Sequence, residues 1–328
     1  MSTPKWPTFS GALAPVLTRL IAEQQALGYH PKEAQDFARF DRFCQTVGHA
    51  TMTLSRDLVE QWTATQPGET ESNRQRRITL MRVLASFMQR SGLSAWMYPR
   101  QTAPRATARY VPHIFTHQEI AALLTAVDHC PTDPRSPDRG PVLSTLFRLL
   151  YGTGLRVGEA LQLQHRDVDP ANDTLHIRNA KGHKDRRVPL HPALADRLRG
   201  YLALQANAVA TAPVFPNRVG GPYSALTVYG YFRRFLAEAG ITHGGRGLGP
   251  RLHDLRHTYC VHCLQQWIAD GVDLTVALPY LSAYLGHTGL KSTQEYLRLT
   301  AELYPAVIAA VEQQFGFLIS GGDDGYDH

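Results

Sequence analysis

Apolar residues recur every three or four positions through residues 8–91, and this spacing limits the segment to amphipathic helices that pack on one another. Four helices are predicted, of which the third opens at Leu54 and the fourth is capped by Ser72. Helices this short, each with one apolar stripe, should form a compact bundle. The first two stripes consist of Leu13, Val16, Leu17, Leu20, Ile21 and Leu27, and of Phe37, Phe40, Phe43 and Val47.

Positive charge is concentrated at the start of the chain. Residues 1–110 contain 14 Lys and Arg against 8 Asp and Glu, so this segment carries the whole net charge of +6. A basic small domain beside a neutral larger one is typical of a nucleic-acid clamp, although many proteins are mildly basic without such a partner. The arginines off the apolar stripe of the fourth helix are either a solvated face or contacts to DNA phosphates. They are Arg74, Arg76, Arg77, Arg82 and Arg90.

The composition changes between residues 98 and 111, where prolines and arginines are interspersed without apolar periodicity. This stretch includes Arg105 and Arg109 and is predicted to be an extended basic linker, whose arginines would contact phosphates if DNA is the partner. The predicted organisation is a helical domain over 1–97, the linker over 98–111, a larger domain over 112–318 and an acidic flexible tail over 319–328.

The overall composition, 43% hydrophobic and 19% charged, is that of an ordinary globular protein. No apolar run approaches the ~18 residues of a membrane span, and the N-terminus lacks a signal-peptide core. The four cysteines are scattered, which predicts a reducing compartment without structural disulfides. We therefore expect a cytoplasmic protein without a membrane partner.

The larger domain is predicted to combine helices with one pair of strands. Residues 174–178 alternate apolar and polar side chains, and 186–190 supply the partner strand of a hairpin. The basic turn between them carries Lys181 and Lys184, as solvated lysines or with Lys181 as an acid for a leaving group. The predicted fold class is mainly α with a small β-hairpin, an α+β arrangement.

A glycine-rich turn leads into Arg156, and Glu159 follows three residues later. On a helix this spacing lets the carboxylate orient the guanidinium. An ordinary surface ion pair explains these two residues equally well when they are taken alone.

The stretch Leu252-His253-Asp-Leu-Arg256-His257-Thr is predicted to open a helix after Pro250. Its two imidazoles and one guanidinium would then share a face, a combination suited to binding a phosphate. A zinc site of the His-Glu-x-x-His type is disfavoured because Asp replaces Glu and an arginine lies beside the ligands. The downstream Cys260, His262 and Cys263 do not change this, and a purely structural helix is the other alternative.

Taken together, these motifs resemble the tyrosine recombinase, or phage integrase, family. The match covers about residues 112–300 in the family's order and spacing, and the basic bundle before it resembles the family's core-binding domain. Any one motif is weak, whereas five in register are specific. They are Gly-Thr-Gly-Leu-Arg156-Val-Gly-Glu159, the hairpin from Lys181 to Leu190, Leu-His253-Asp-Leu-Arg256-His257-Thr, Leu-Gly-His287 and Tyr296.

One segment departs from the family's pattern. Between Gly271 and His287 the chain has about four more residues than the usual spacing, around Ala277–Tyr284. We expect the extra residues to alter the local helix while leaving the identity of His287 and Tyr296 unchanged.

The resemblance implies a site-specific DNA recombinase that cuts and rejoins strands through a 3′-phosphotyrosyl intermediate, without a metal, ATP or another cofactor. It also implies double-stranded DNA as partner, a homotetramer on two duplexes, accessory DNA-bending or directionality proteins, and association with the nucleoid. The catalytic residues that it implies are Arg156, Lys181, His253, Arg256, His287 and Tyr296, with Glu159 and His257 in support.

Two other functions use the same features. A type IB topoisomerase-like enzyme would nick and reseal one duplex with the same chemistry. A DNA-binding regulator that has lost catalysis would keep the basic surfaces alone, and the complete set of site residues argues against it.

Overall fold

The computed structural model describes residues 7–28, 33–100, 110–178, 185–245 and 248–286. Contacts between Cα atoms divide the chain into two compact units, Met1–Arg109 and Tyr110–His328. The predicted bounds of the linker and the acidic tail stay predictions, because residues 101–109 and 287–328 lie outside the described ranges.

The first unit is helical, as its apolar stripes predict. Trp62 packs between Phe40 and Phe43, with ring centroids 5.4 and 5.1 Å away, and these rings form part of the buried core. Burial of large aromatic side chains is a main source of stability in a domain this small. The helices are α1 (Ala14–Ala26), α2 (Ala34–Thr46), α3 (Arg56–Thr63) and α4 (Glu71–Arg90).

Two details of this unit differ from the prediction. Thr70, rather than Ser72, caps α4, and its hydroxyl accepts the Asn73 amide at 3.4 Å. Ser72 already lies inside the first turn, where a side chain cannot take the capping position. Leu27 and Val47 are exposed because each directly follows the last residue of its helix.

The described part of the second unit consists of helices around a small antiparallel sheet, which confirms the predicted fold class. Strand β2 (Thr174–Ile177) pairs with β3 (Arg186–Pro189) with Leu175 opposite Val188, so the predicted strand pair is present and its apolar face joins the core. The elements are α5 (His117–Asp128), α6 (Arg139–Thr153), α7 (Val157–Leu161), β1 (Val168–Asp169), β2 (Thr174–Ile177), β3 (Arg186–Pro189), α8 (Pro192–Ala203), α9 (Ala225–Glu238), α10 (Asp254–Ala269) and α11 (Leu274–Leu285).

Helix α6 lies at the centre of this unit and packs against α5, α8 and α10. A tight turn leads from α6 into α7, and α10 packs beside α11 over a separate apolar cluster. The segment Ala277–Tyr284, around which extra residues are predicted, lies within α11, and this helix contains Pro279.

Among the described residues, the helices are too short or too polar to cross a membrane.

Candidate active site

The described residues include five of the eight predicted catalytic and supporting residues, and all five lie in the second unit. These are Arg156, Glu159, His253, Arg256 and His257. Others lie outside the described residues and stay predictions: Lys181, Lys184, His287, Tyr296, Arg105 and Arg109.

Arg156 is placed by the turn that follows α6. Gly154 ends that helix with a φ of 61°, and a Cβ there would lie 2.5 Å from Cδ1 of Tyr259, so the turn requires glycine. Arg156 then precedes α7. The Glu159 carboxylate accepts the Arg156 backbone N–H at 3.1 Å and Nη1 at 2.7 Å. The predicted orienting pair is therefore present.

Arg256 is buried, with 2% of its surface exposed, and lies in the first turn of α10. Its Nη1 donates to the carbonyl of Gly154 and its Nη2 to the carbonyl of Leu285, both at 2.8 Å. Each carbonyl is at a helix C-terminus, one at the end of α6 and one at the end of α11. A cation is favoured there, because the final carbonyls of a helix lack partners and carry partial negative charge.

Three successive carbonyls at the end of α11 each accept a bond from a different arginine. Nε of Arg186 donates to Tyr284 at 2.7 Å, Arg256 donates to Leu285, and Nη2 of Arg156 donates to Gly286 at 3.4 Å. The end of α11 thus brings Arg156 and Arg256, which are far apart in sequence, into one positively charged cluster.

Arg186 was not predicted as a site residue. It is the first residue of β3, its side chain is 10% exposed, and both its Nη atoms bind Glu159. The available signal was its register: Arg186 is two residues before buried Val188 and so shares the inward face of the strand.

Glu159 is shared by two guanidiniums. Burial alone would raise its pKa, but the hydrogen bonds and charge of Arg186, together with hydrogen bonds from Arg156, hold the pKa of Glu159 below its ordinary value. The carboxylate is therefore ionised at neutral pH.

His253 lies beside the arginines, immediately before the first residue of α10. The predicted helix start near Leu252 is therefore slightly early. The His253 and His257 rings are perpendicular, with centroids 4.9 Å apart. Surrounding protein and the charges of Arg256 and Arg156 lower the pKa of His253 to about 4. His253 is itself exposed, which weakens the effect of burial on its pKa. The positive charges of Arg256 and Arg156 lower the same pKa.

Asp254 fixes the start of α10 and was also missed. Its buried carboxylate accepts the Tyr110 hydroxyl, the Arg251 amide at 2.8 Å and the His113 amide at 3.4 Å. The incoming chain of the second unit is thereby tied to the residue that follows His253.

The tyrosines of α11 are poorly suited to be the nucleophile. Tyr284 stacks on Tyr259 at 5.9 Å and burial raises its pKa to about 12, whereas Tyr280 is 72% exposed. The Tyr284 hydroxyl donates to the Pro189 carbonyl at 3.3 Å, and Tyr296 remains the predicted nucleophile.

Cys260 is fully buried in the cluster between α10 and α11, as expected of a packing residue. His262 stacks on His117 at 4.1 Å and bonds to the Tyr151 hydroxyl at 2.9 Å. Across the described ranges, no three His, Cys, Asp or Glu side chains converge as metal ligands would.

Four of the arginines of α4 that were predicted to contact DNA differ in their surroundings. Arg77 bonds to the carbonyls of Trp62 and Ala64 and to Glu69 within the first unit. Arg74 and Arg82 also donate to backbone carbonyls. Arg76 is 65% exposed and paired with Asp36 at 2.6 Å, which makes it the best placed of the four for a phosphate.

The sequence profile of the phage integrase family matches residues 113–302. The chain belongs to the phage integrase family. The predicted family and enzyme class, a tyrosine-type site-specific recombinase, are therefore confirmed.

Several relatives of this phage integrase family member span most of its length. The integrase/recombinase y4rB of Sinorhizobium fredii is 30% identical over 304 residues, covering 90% of this chain and 95% of the relative. Tyrosine recombinase XerD of Corynebacterium glutamicum is 30% identical over 305 residues, covering 87% and 92%. The fold resembles that of XerH site-specific recombinase bound to palindromic difH substrate, with a TM-score of 0.61, 18% identity and coverage of 90% and 84%.

The depressed pKa of His253 can be tested by NMR of the full chain with labelled histidine. The signal lost in His253→Gln should keep the shifts of a neutral ring down to pH 5.5 or so, because titration is centred well below the ordinary value of about 6.5. Arg156→Gln removes a positive charge and should raise this pKa. A wild-type midpoint near the ordinary value would contradict the assigned electrostatics.

Proposed function

We propose that this phage integrase family member cuts and rejoins DNA at specific sites through a covalent bond between Tyr296 and a 3′ phosphate. The observation that supports it best is the gathering of Arg156 and Arg256 at the end of α11 beside a neutral His253. This set offers charge to a phosphate and a proton acceptor to a nucleophile, and it needs no metal for either task.

The proposed cleavage step forms one bond to phosphorus and breaks another. The Tyr296 oxygen attacks phosphorus, its proton passes to His253, and the bond from phosphorus to the 5′ oxygen breaks. Lys181 gives a proton to the leaving 5′ oxygen. Because free tyrosine has a pKa of about 10, removal of its proton and a positive field are both required at neutral pH.

The pentacoordinate state concentrates negative charge on the non-bridging oxygens. Arg156 and Arg256 bind these oxygens, and His287 donates a further hydrogen bond. Glu159 and His257 support the arginines and His253. A new 5′ hydroxyl reverses the step, so the energy of the phosphotyrosyl bond replaces ATP.

Double-stranded DNA is the partner, consistent with recombinases of the same fold bound to DNA substrates. We propose that the chain acts as a homotetramer on two duplexes in the cytoplasm at the nucleoid, with accessory DNA-bending or directionality proteins. Phosphate contacts come from Arg76, from the linker arginines Arg105 and Arg109, and from Lys184. A topoisomerase-like activity is not favoured, since the relatives that span most of the chain are named recombinases.

Tyr296→Phe tests the nucleophile. The variant loses one oxygen and keeps the phosphate ligands, so it should bind its DNA site normally and form no covalent adduct. The measurement is a denaturing gel after incubation with a nicked suicide substrate. An adduct formed by the variant at the wild-type level would assign the nucleophile to another tyrosine.

Lys181→Ala tests the acid. Cleavage should slow by roughly 10²–10⁴-fold, the usual range for lost acid catalysis. A substrate with sulfur at the bridging 5′ position has a better leaving group and should restore cleavage by this variant. Arg156→Ala, which loses charge stabilisation, should stay slow on the same substrate.

Lys184→Ala is the matched control, since it removes a lysine from the same turn. Sulfur rescue of Lys184→Ala in place of Lys181→Ala would show that Lys184 is the acid.

A further inference from the structure

Arg186 is held by inward bonds on all sides of its guanidinium. Nε donates to the Tyr284 carbonyl at 2.7 Å, Nη1 to Oε1 of Glu159 at 3.2 Å and Nη2 to Oε2 of Glu159 at 2.8 Å. Gly286 lies against it, and a Cβ on that glycine would come within 2.9 Å of Nη1. With its side chain 10% exposed, Arg186 is badly placed to bind a phosphate itself.

The shared carboxylate determines how Arg156 can bind. Oε1 of Glu159 accepts Nη1 of Arg156, while Oε2 accepts the Arg156 backbone amide and Nη2 of Arg186. The guanidinium of Arg156 therefore reaches the carboxylate with one nitrogen only. Among the described residues, its Nη2 has one long hydrogen bond, 3.4 Å to the carbonyl of Gly286, and can turn to a phosphate oxygen.

Without Arg186, the same carboxylate would be free to take both terminal nitrogens of Arg156. Such bidentate arginine–carboxylate pairs are strong, and this one would draw the guanidinium away from the phosphate. The occupied side of Glu159 thus keeps Arg156 available.

We propose that Arg186 is a positioning residue for strand cleavage, which sets the Arg156 guanidinium toward the scissile phosphate by occupying Glu159 and the end of α11. This inference rests on the proposed function. Because other DNA contacts are unaffected, the role should show in the rate of the chemical step and not in affinity.

Arg186→Met in the full chain should slow single-turnover cleavage at saturating DNA by roughly 10–100-fold, the scale of a misplaced catalytic group. The Kd for the DNA site should be unchanged. Sulfur at the bridging 5′ position should not restore the rate, because the missing factor is charge at the phosphate. Restoration by sulfur would place the defect at the acid and overturn the proposal, as would a wild-type rate.

Removal of Arg186 alone leaves Glu159 partly unpaired in a buried position, which can prevent folding. The double variant Arg186→Met/Glu159→Gln removes both charges and keeps the test valid. If Arg186 acts through Glu159, the double variant and Glu159→Gln alone should cleave equally slowly. A double variant much slower than Glu159→Gln would overturn that route.

Arg148→Met is the matched control. Arg148 also binds one carboxylate with both terminal nitrogens, to Asp128 at 2.8 and 2.6 Å. Its other hydrogen bonds within the described part of the chain go to Ser144, away from the site. It should cleave at the wild-type rate, and an equal slowing would reduce the Arg186 effect to general destabilisation. If the wild-type chain forms no adduct with DNA, the proposed function itself is overturned. If the wild type cleaves and Arg186→Met cleaves at the same rate, only this inference is overturned.

Discussion

The attraction of guanidinium groups to the carboxyl ends of two helices is the interaction on which the site depends. Arg256 bridges the carbonyls of Gly154 and Leu285, at the ends of α6 and α11. Arg186 and Arg156 donate to the carbonyls of Tyr284 and Gly286, which flank Leu285. Side chains of like charge would otherwise repel one another. The partial negative charge of the helix ends and one shared carboxylate offset that repulsion and hold the group together before any phosphate arrives.

The same arrangement explains the state of His253. The site has more guanidiniums than carboxylates, which disfavours a further positive charge. The His253 imidazole is therefore neutral at pH values at which a free histidine would begin to protonate. In the proposed mechanism, a dianionic transition state reverses the balance, because it supplies negative charge beside these guanidiniums. Binding of phosphate and acceptance of a proton by His253 would then be favoured together.

The sequence was sufficient for most helices, for the β2–β3 hairpin and for the family, because periodicity and motif spacing are local properties. It was insufficient where tertiary contacts decide. Strand β1 has two residues and shows no alternation, and the start of α10 depends on bonds from Asp254 to Tyr110 and His113. The proposed role of Arg186 depends on the backbone carbonyl of Tyr284, 98 residues away, which side-chain patterns do not encode.

The measurement that tests the account most directly is peptide mapping of the covalent complex. Trypsin separates Tyr296 from the other candidate tyrosines: Tyr296 alone lies in Ser292–Arg298, Tyr280 and Tyr284 share the peptide that ends at Lys291, and Tyr304 lies after Arg298. We predict that a nucleotide joined through its 3′ phosphate is found on Ser292–Arg298 by mass spectrometry. A nucleotide on either of the other peptides, or one joined through a 5′ phosphate, would contradict the account.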